Sequence, residues 1–183
     1  MFVNLAYWNL YLEQEFVYVG DAGIVEPSGE TSRQGIELSY RYQPFSWLYW
    51  SLDTNYTHAK AIEEPEGENY IPLAPNFTLV NGINIELPSG FTAGIHTRHI
   101  ADRPANEDNS IVAEGYTVTD LNLGYQWKKI NFGIQIQNLF NTEWNETQFA
   151  TESRLFNETA SVEEIHFTPG TPFFLKTILQ YNF

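Results

Sequence analysis

The side chains best suited to chemistry fall in two neighbouring stretches. His96-Thr97-Arg98-His99 sets two imidazoles three residues apart, and ADRPANEDNS (101–110) gathers Asp102, Glu107 and Asp108 beside Arg103. Paired imidazoles are half of a zinc site, and clustered carboxylates offer hard oxygen ligands to Ca²⁺. The spacing argues against both. On a strand, residues three apart point to opposite faces, so the two histidines converge only across a bulge. The carboxylates lack the interval of an EF-hand loop, and a solvated acidic loop accounts for them. His166 is a lone histidine in a long polar link. These residues are better placed for contact than for chemistry. His96 and Arg98, two apart, share a face. Asp102, Arg103, Glu107, Asp108 and His166 fall in links, where binding residues concentrate once a scaffold holds them.

Nucleophilic catalysis finds no parts. No serine lies in a G-x-S-x-G turn, no H-E-x-x-H occurs, and Cys is 0. That excludes a cysteine nucleophile, a thiolate metal site and a disulfide framework. The expectation is a protein that is not an enzyme and carries no cofactor.

The elements that position these residues are strands. Eight segments alternate apolar and polar residues, the period of a strand with one apolar face. VNLAYWNLYLEQEFVYV (3–19) places Ala6, Trp8, Leu10, Leu12, Phe16 and Tyr18 on that face. SRQGIELSYRY (32–42) sets Ile36, Leu38, Tyr40 and Tyr42 against Arg33, Glu37 and Arg41. SWLYWSLDTNYTH (46–58), NFTLVNGINIEL (76–87), FTAGIHTRH (91–99), YTVTDLNLGYQW (116–127) and INFGIQIQN (130–138) repeat the pattern. FFLKTILQYNF (173–183) closes the set, with Leu175, Thr177, Leu179, Tyr181 and Phe183 on the apolar strip. No stretch has a helical period. The expected fold is all-β, an antiparallel meander of about eight transmembrane-type strands.

Connections and charge follow the same plan. Short turns are expected at 42–45, 87–90 and 127–130, and long links at 20–31, 59–76, 101–115 and 139–172. A meander short-turned at one end and long-looped at the other is the habit of outer-membrane barrels. Of 23 acidic residues, only Glu13, Glu15, Glu37, Asp53, Glu86 and Asp120 lie outside the long links, where the only basic residues are Lys60, Arg103 and Arg154. The polar strips favour Asn, Gln, Thr and Gly over Lys and Glu, as an interior lining would. Trp8, Trp47, Trp127 and Tyr181 sit near strand ends, as an aromatic girdle does at membrane interfaces. A soluble β-sandwich binding module would alternate too, with its apolar strips turned inward. A complete eight-stranded outer-membrane barrel, structural or adhesive, would pair its first strand with its last.

The net charge of −14 argues against nucleic acid as a partner. No apolar run approaches the ~20 residues of a membrane helix. MFVNLAYWNLYLEQEF lacks the basic start and apolar centre of a signal peptide and already reads as strand. The expectation is a trimmed chain, or one that begins inside a longer protein.

Several motifs, in order along nearly the whole chain, resemble the C-terminal part of a TonB-dependent outer-membrane receptor. SRQGIELSYRY is similar to the family's RxGxE strand, and IPLAPNFTLVNGINIELPSGFTAG (71–94) to its xPxxP loop, strand and tight periplasmic turn. ADRPANEDN resembles a loop of some members. IQIQNLFNTEW (134–144) resembles the late NLF(D/N)xxY segment, with Trp144 where Tyr is usual, and HFTPGTPFFLKTILQYNF (166–183) resembles the closing loop and strand.

The resemblance implies that residues 1–183 are the C-terminal segment of a larger barrel of about 22 strands in the bacterial outer membrane, without its plug domain or signal peptide. It implies a whole protein that binds a scarce ligand (siderophore-iron, cobalamin, another metal chelate or a glycan) at outer loops and imports it. The implied partners are outer-membrane lipid, the barrel-assembly machinery, a plug domain, TonB and the small-molecule ligand. Phe183, Tyr181 and Leu179 would present the assembly signal. His96, Arg98, Asp102, Arg103, Glu107, Asp108 and His166 are the candidates for ligand or plug contact.

Overall fold

The computed structural model describes residues 1–14, 16–19, 24–27 and 29–183. Eight strands form one antiparallel sheet: β1 (Phe2–Leu12), β4 (Thr31–Phe45), β5 (Leu48–Ala61), β6 (Phe77–Glu86), β7 (Phe91–Ile100), β10 (Tyr116–Trp127), β11 (Ile130–Gln137) and β14 (Phe174–Tyr181). Their order in space is their order along the chain, so the all-β meander expected from periodicity is what forms. Three hairpins occupy the long links: β2 (Phe16–Val19) with β3 (Ile24–Pro27), β8 (Arg103–Pro104) with β9 (Val112–Ala113), and β12 (Asn145–Ser153) with β13 (Val162–Pro169).

Register carries the alternation from strand to strand. Leu38 of β4 stands opposite Leu5 of β1 and Thr54 of β5. Ile95 of β7 stands opposite Ile83 of β6 and Leu121 of β10, and Leu121 stands opposite Ile136 of β11. Directly opposed residues share a face, so these pairs build a continuous apolar surface, and the residues between them build a polar one. On the polar side, Arg41 donates to both carboxylate oxygens of Asp53 at 2.8 and 2.7 Å, and Ser39 Oγ donates to Asp53 Oδ1 at 2.8 Å.

The first strand departs from expectation. Its register puts Ala6 opposite Glu37 and Trp8 opposite Gly35, so Ala6, Trp8, Leu10 and Leu12 lie on the polar face, and Val3, Leu5, Tyr7 and Tyr11 on the apolar one. Both strips of this segment are rich in apolar residues, so alternation within it does not choose between them. The neighbour chooses: Arg33, Glu37 and Arg41 must keep to the polar side. Trp8 is accommodated there because Gly35 has no side chain; a Cβ at Gly35 would stand 2.6 Å from Trp8 Cζ2. The strand also ends at Leu12, and Phe16 starts the separate β2 hairpin. The Tyr18 side chain lies outside the described residues.

The first short turn also shifts. Strand β4 runs on to Phe45 through an irregularity after Tyr42, and the turn falls at Ser46 and Trp47. Pro44, with no N–H to give the ladder, sits within the irregular stretch, where prolines in sheets are tolerated. The turns at Leu87–Gly90 and Trp127–Ile130 form as expected, with Gly90 (φ 88°) and Lys128 (φ 54°) in the left-handed region.

The apolar face is bare. Leu5 is 68 % exposed and Leu179 71 %. The buried apolar residues among those described, Ile71, Ala105, Ala113 and Val118, lie in links or on the polar side, never on the apolar strip. Among the described residues no second sheet covers that strip, so the β-sandwich is not what forms. Strand β1 pairs with β4 and β14 with β11, and they end the sheet rather than join each other. A closed eight-stranded barrel is therefore not formed either.

Candidate ligand site at the loop end

The long links gather at one end of the sheet and are fastened by polar side chains. Asn138 and Asn141 both adopt left-handed backbone (φ 52° and 51°), which asparagine tolerates better than most residues. Asn138, 1 % exposed, donates from Nδ2 to the carbonyls of Thr142 (2.8 Å) and Thr171 (3.0 Å) and accepts the Thr142 N–H on Oδ1 (2.8 Å). Its own N–H donates to Asp120 Oδ1 at 2.9 Å, and Asn141 Oδ1 accepts the Phe173 N–H at 2.9 Å. The NLFN stretch is thus a clasp. It ties both ends of the 139–172 link to each other and to β10.

Above the clasp the links interlock. Gln148, 2 % exposed, donates to the Glu114 carbonyl (2.7 Å) and accepts the Glu114 N–H (3.0 Å), joining the β12–β13 hairpin to the 101–115 link. Tyr70 N–H donates to the Glu107 carbonyl (3.0 Å) and Leu73 N–H to that of Pro104 (2.7 Å), joining the 59–76 link. Asn106 bonds Ser110 Oγ at 2.9 Å and Glu163 Oε2 at 3.4 Å.

Each candidate residue has a definite place. Asp102 Oδ1 accepts the Gly115 N–H at 2.7 Å. Arg103 is 8 % exposed, and its Nη1 has no hydrogen-bond partner among the described residues. Burial lowers its pKa from the ordinary arginine value, and the nearby Tyr116 and Asp102 oppose that shift. Asp108 accepts the Ser110 N–H (3.0 Å) and hydroxyl (2.7 Å), which hold its carboxyl below the usual range. The Glu107 side chain is exposed. On β13, His166 Nε2 lies 3.0 Å from Ser153 Oγ. The two strand histidines diverge as expected. His99 is on the apolar side beside Phe77 and 2.8 Å from Thr117 Oγ1, while His96 lies on the polar side in space left by Gly82 and Gly94. His96 and Arg98 nevertheless serve different places. His96 lines a cavity of about 490 Å³ toward the short turns, with Tyr49, Asn84, Glu86 and Gln135. Arg98 reaches the loop end, its guanidinium carbon 5.0 Å from the centre of the Trp144 ring. Among the described residues no group of three or more His, Asp or Glu is placed to hold a metal ion.

Trp144 organises that end. Its ring centre is 4.7 Å from that of Tyr116, its Nε1 donates to the Thr171 carbonyl at 3.0 Å, and its indole fills space that any side chain at Gly170 would occupy. A cleft of about 510 Å³ opens beside it, lined also by Glu114, Glu143, Asn145, Phe167, Pro169 and Pro172. The candidates named from sequence omit Trp144, Gln148 and Asn138. The signal for two of them lay in NLFNTEW, legible as a motif before its bonds were known.

Residues 1–139 match the TonB dependent receptor-like, beta-barrel family. Among solved structures, the closed form of the ferric-catecholate import receptor Fiu from E. coli K12 superposes with a TM-score of 0.69 at 19% identity over 98% of this chain and 25% of its own. The siderophore receptor PiuA from Acinetobacter baumannii gives 0.69 at 13% identity over 98% of this chain and 26% of its own. The ferric preacinetobactin receptor BauA from the same organism gives 0.62 at 15% identity, over 97% and 26%. This chain therefore spans about a quarter of the length of those proteins. The bare apolar face of a one-layer sheet needs a non-aqueous cover, which lipid supplies to the wall of a membrane barrel. The chain belongs to the TonB-dependent receptor β-barrel family and forms outer-membrane barrel wall.

Proposed function

We propose that this chain is the C-terminal portion of the barrel wall in a receptor that binds a scarce ligand at its outer loops and imports it with energy delivered through TonB. The observation that carries this reading is the interlocked loop end. Three links of a family barrel are fastened into one ordered surface, and two of them line a cleft, which a merely structural wall does not need. A plug domain would fill the interior against the polar strips, with His96 and its cavity facing it. Asp102, Arg103, Glu107, Asp108, Arg98 and His166 stand on the ligand side. The siderophore and ferric ligands named for Fiu, PiuA and BauA make ferric chelates the first substrates to try. At such low identity they do not select one. Leu179 and Tyr181 on the apolar strip and Phe183 just past the end of β14, all exposed, would be read by the barrel-assembly machinery before lipid covers them.

The test is uptake. Cells lacking the gene, and cells lacking only residues 145–169 of its product, are supplied with labelled ferric chelates, cobalamin and oligosaccharides. Import of one ligand should be abolished in both strains and stopped in the parent by an uncoupler. Unchanged uptake of every ligand in the deleted strain sinks the proposal.

A further inference from the structure

The cleft beside Trp144 also bears on the charge of what enters it. Its volume of about 510 Å³ lies in the range of small-molecule sites. Trp144, Phe167 and Pro169 make an apolar wall, and the exposed carboxylates of Glu114 and Glu143 stand among the lining groups. Both are carried on fixed backbone. Gln148 brackets the Glu114 peptide, and Glu143 lies between the clasp and Trp144. Among the described residues no basic side chain lines this cleft, and two of the basic groups at the loop end are held elsewhere. Lys60 Nζ bonds Asn69 at 2.7 Å and lies 3.6 Å from the centre of the Tyr70 ring. Arg103 is buried, and Arg98 lies against Trp144. Arg154 is exposed near the tip of the β12–β13 hairpin, and Arg98 is exposed as well.

Resting on the receptor reading, we infer that this cleft receives a positively charged organic group, an ammonium or amidinium carried on an apolar body. The aromatic and proline walls take the body, and the two carboxylates take the charge. The acidic field of the surrounding links raises the local concentration of cations and repels anions. An anionic chelate meets two like charges in the lining and no basic side chain among the described lining groups.

The experiment uses the full receptor that carries this chain, in detergent, with three probes of similar shape: 2-phenylethylammonium, 2-phenylethanol and 3-phenylpropanoate. Binding is read by calorimetry and by the change in tryptophan fluorescence. The cation should bind in preference to the other two, and more weakly as salt rises. The double variant Glu114→Gln, Glu143→Gln keeps both exposed side chains isosteric. It should weaken cation binding about three- to tenfold and leave the neutral probe unmoved. Glu143→Lys should shift preference toward the anion. Equal binding of all three probes, preference for the anion, or cation binding indifferent to both variants overturns the inference. If no probe binds while uptake of some ligand persists, the inference falls and the receptor reading stands. Cation binding without import of any ligand sinks the receptor reading instead.

Discussion

The sheet and the loop end of this molecule are ordered by different forces. In the sheet, backbone ladders satisfy the peptide groups that face a neighbouring strand, and the apolar strip needs only a non-aqueous medium to lie in. At the loop end the hairpins lie outside that sheet, and side chains that bond backbone fasten them: Asn138, Asn141, Gln148 and Asn106. The first device tolerates many sequences, provided alternation holds. The second depends on a few particular side chains, and so on a few particular substitutions.

The largest effect should come from charge on the wrong strip. Ile134→Arg, on the apolar face, should cost about 2–4 kcal/mol near the bilayer midplane. Its neighbour Gln135→Arg, on the polar face, should cost well under half of that. Folding titrations into lipid vesicles measure the difference, and similar costs at the two sites would break the comparison. Next comes the clasp. Asn138→Ala removes three hydrogen bonds from a buried site and should cost about 2–4 kcal/mol of local stability. The 139–172 link should become open to protease while the barrel stays resistant to unfolding in cold SDS.

A smaller loss is expected from Gln148→Ala. It strips both partners from the Glu114 peptide and should raise hydrogen exchange across 101–115 by a factor corresponding to about 1–2 kcal/mol. Smallest is a response to pH. The Asp108 carboxyl is held below its ordinary range by Ser110, so its bonds are intact above the unfolded value and are lost as pH falls through the depressed folded one. Amide exchange at Ser110 should accelerate in that acidic window alone. Acceleration on raising pH above neutrality, beyond the intrinsic base-catalysed rate, would contradict the assignment.

Legibility in the sequence divides along the same line. Seven of the eight apolar strips follow from alternation because the Asp, Glu, Lys and Arg of those segments, where present, keep to the other side. The first failed because residues 3–12 are apolar on both sides, and the deciding fact was the charge of a neighbouring strand. The hairpins within the long links and the clasp were not legible from periodicity. Their bonds join residues far apart in the chain, such as Asn138 with Thr171 and Gln148 with Glu114. His96 and Arg98 share a face, as their spacing predicts. That they serve opposite ends of the polar side depends on where their long side chains turn, and the chain order does not specify it.

The central claim is an alternating wall with lipid on one side and a shared interior on the other. The stretch has no cysteine of its own, so single replacements from Ile130→Cys to Gln137→Cys can be labelled in intact outer membranes with a small water-soluble thiol reagent. Labelling should rise and fall with period two, with Asn131, Gln135 and Gln137 reactive and Ile130, Phe132, Ile134 and Ile136 protected. Uniform labelling, or reactivity on the isoleucine strip, would contradict it.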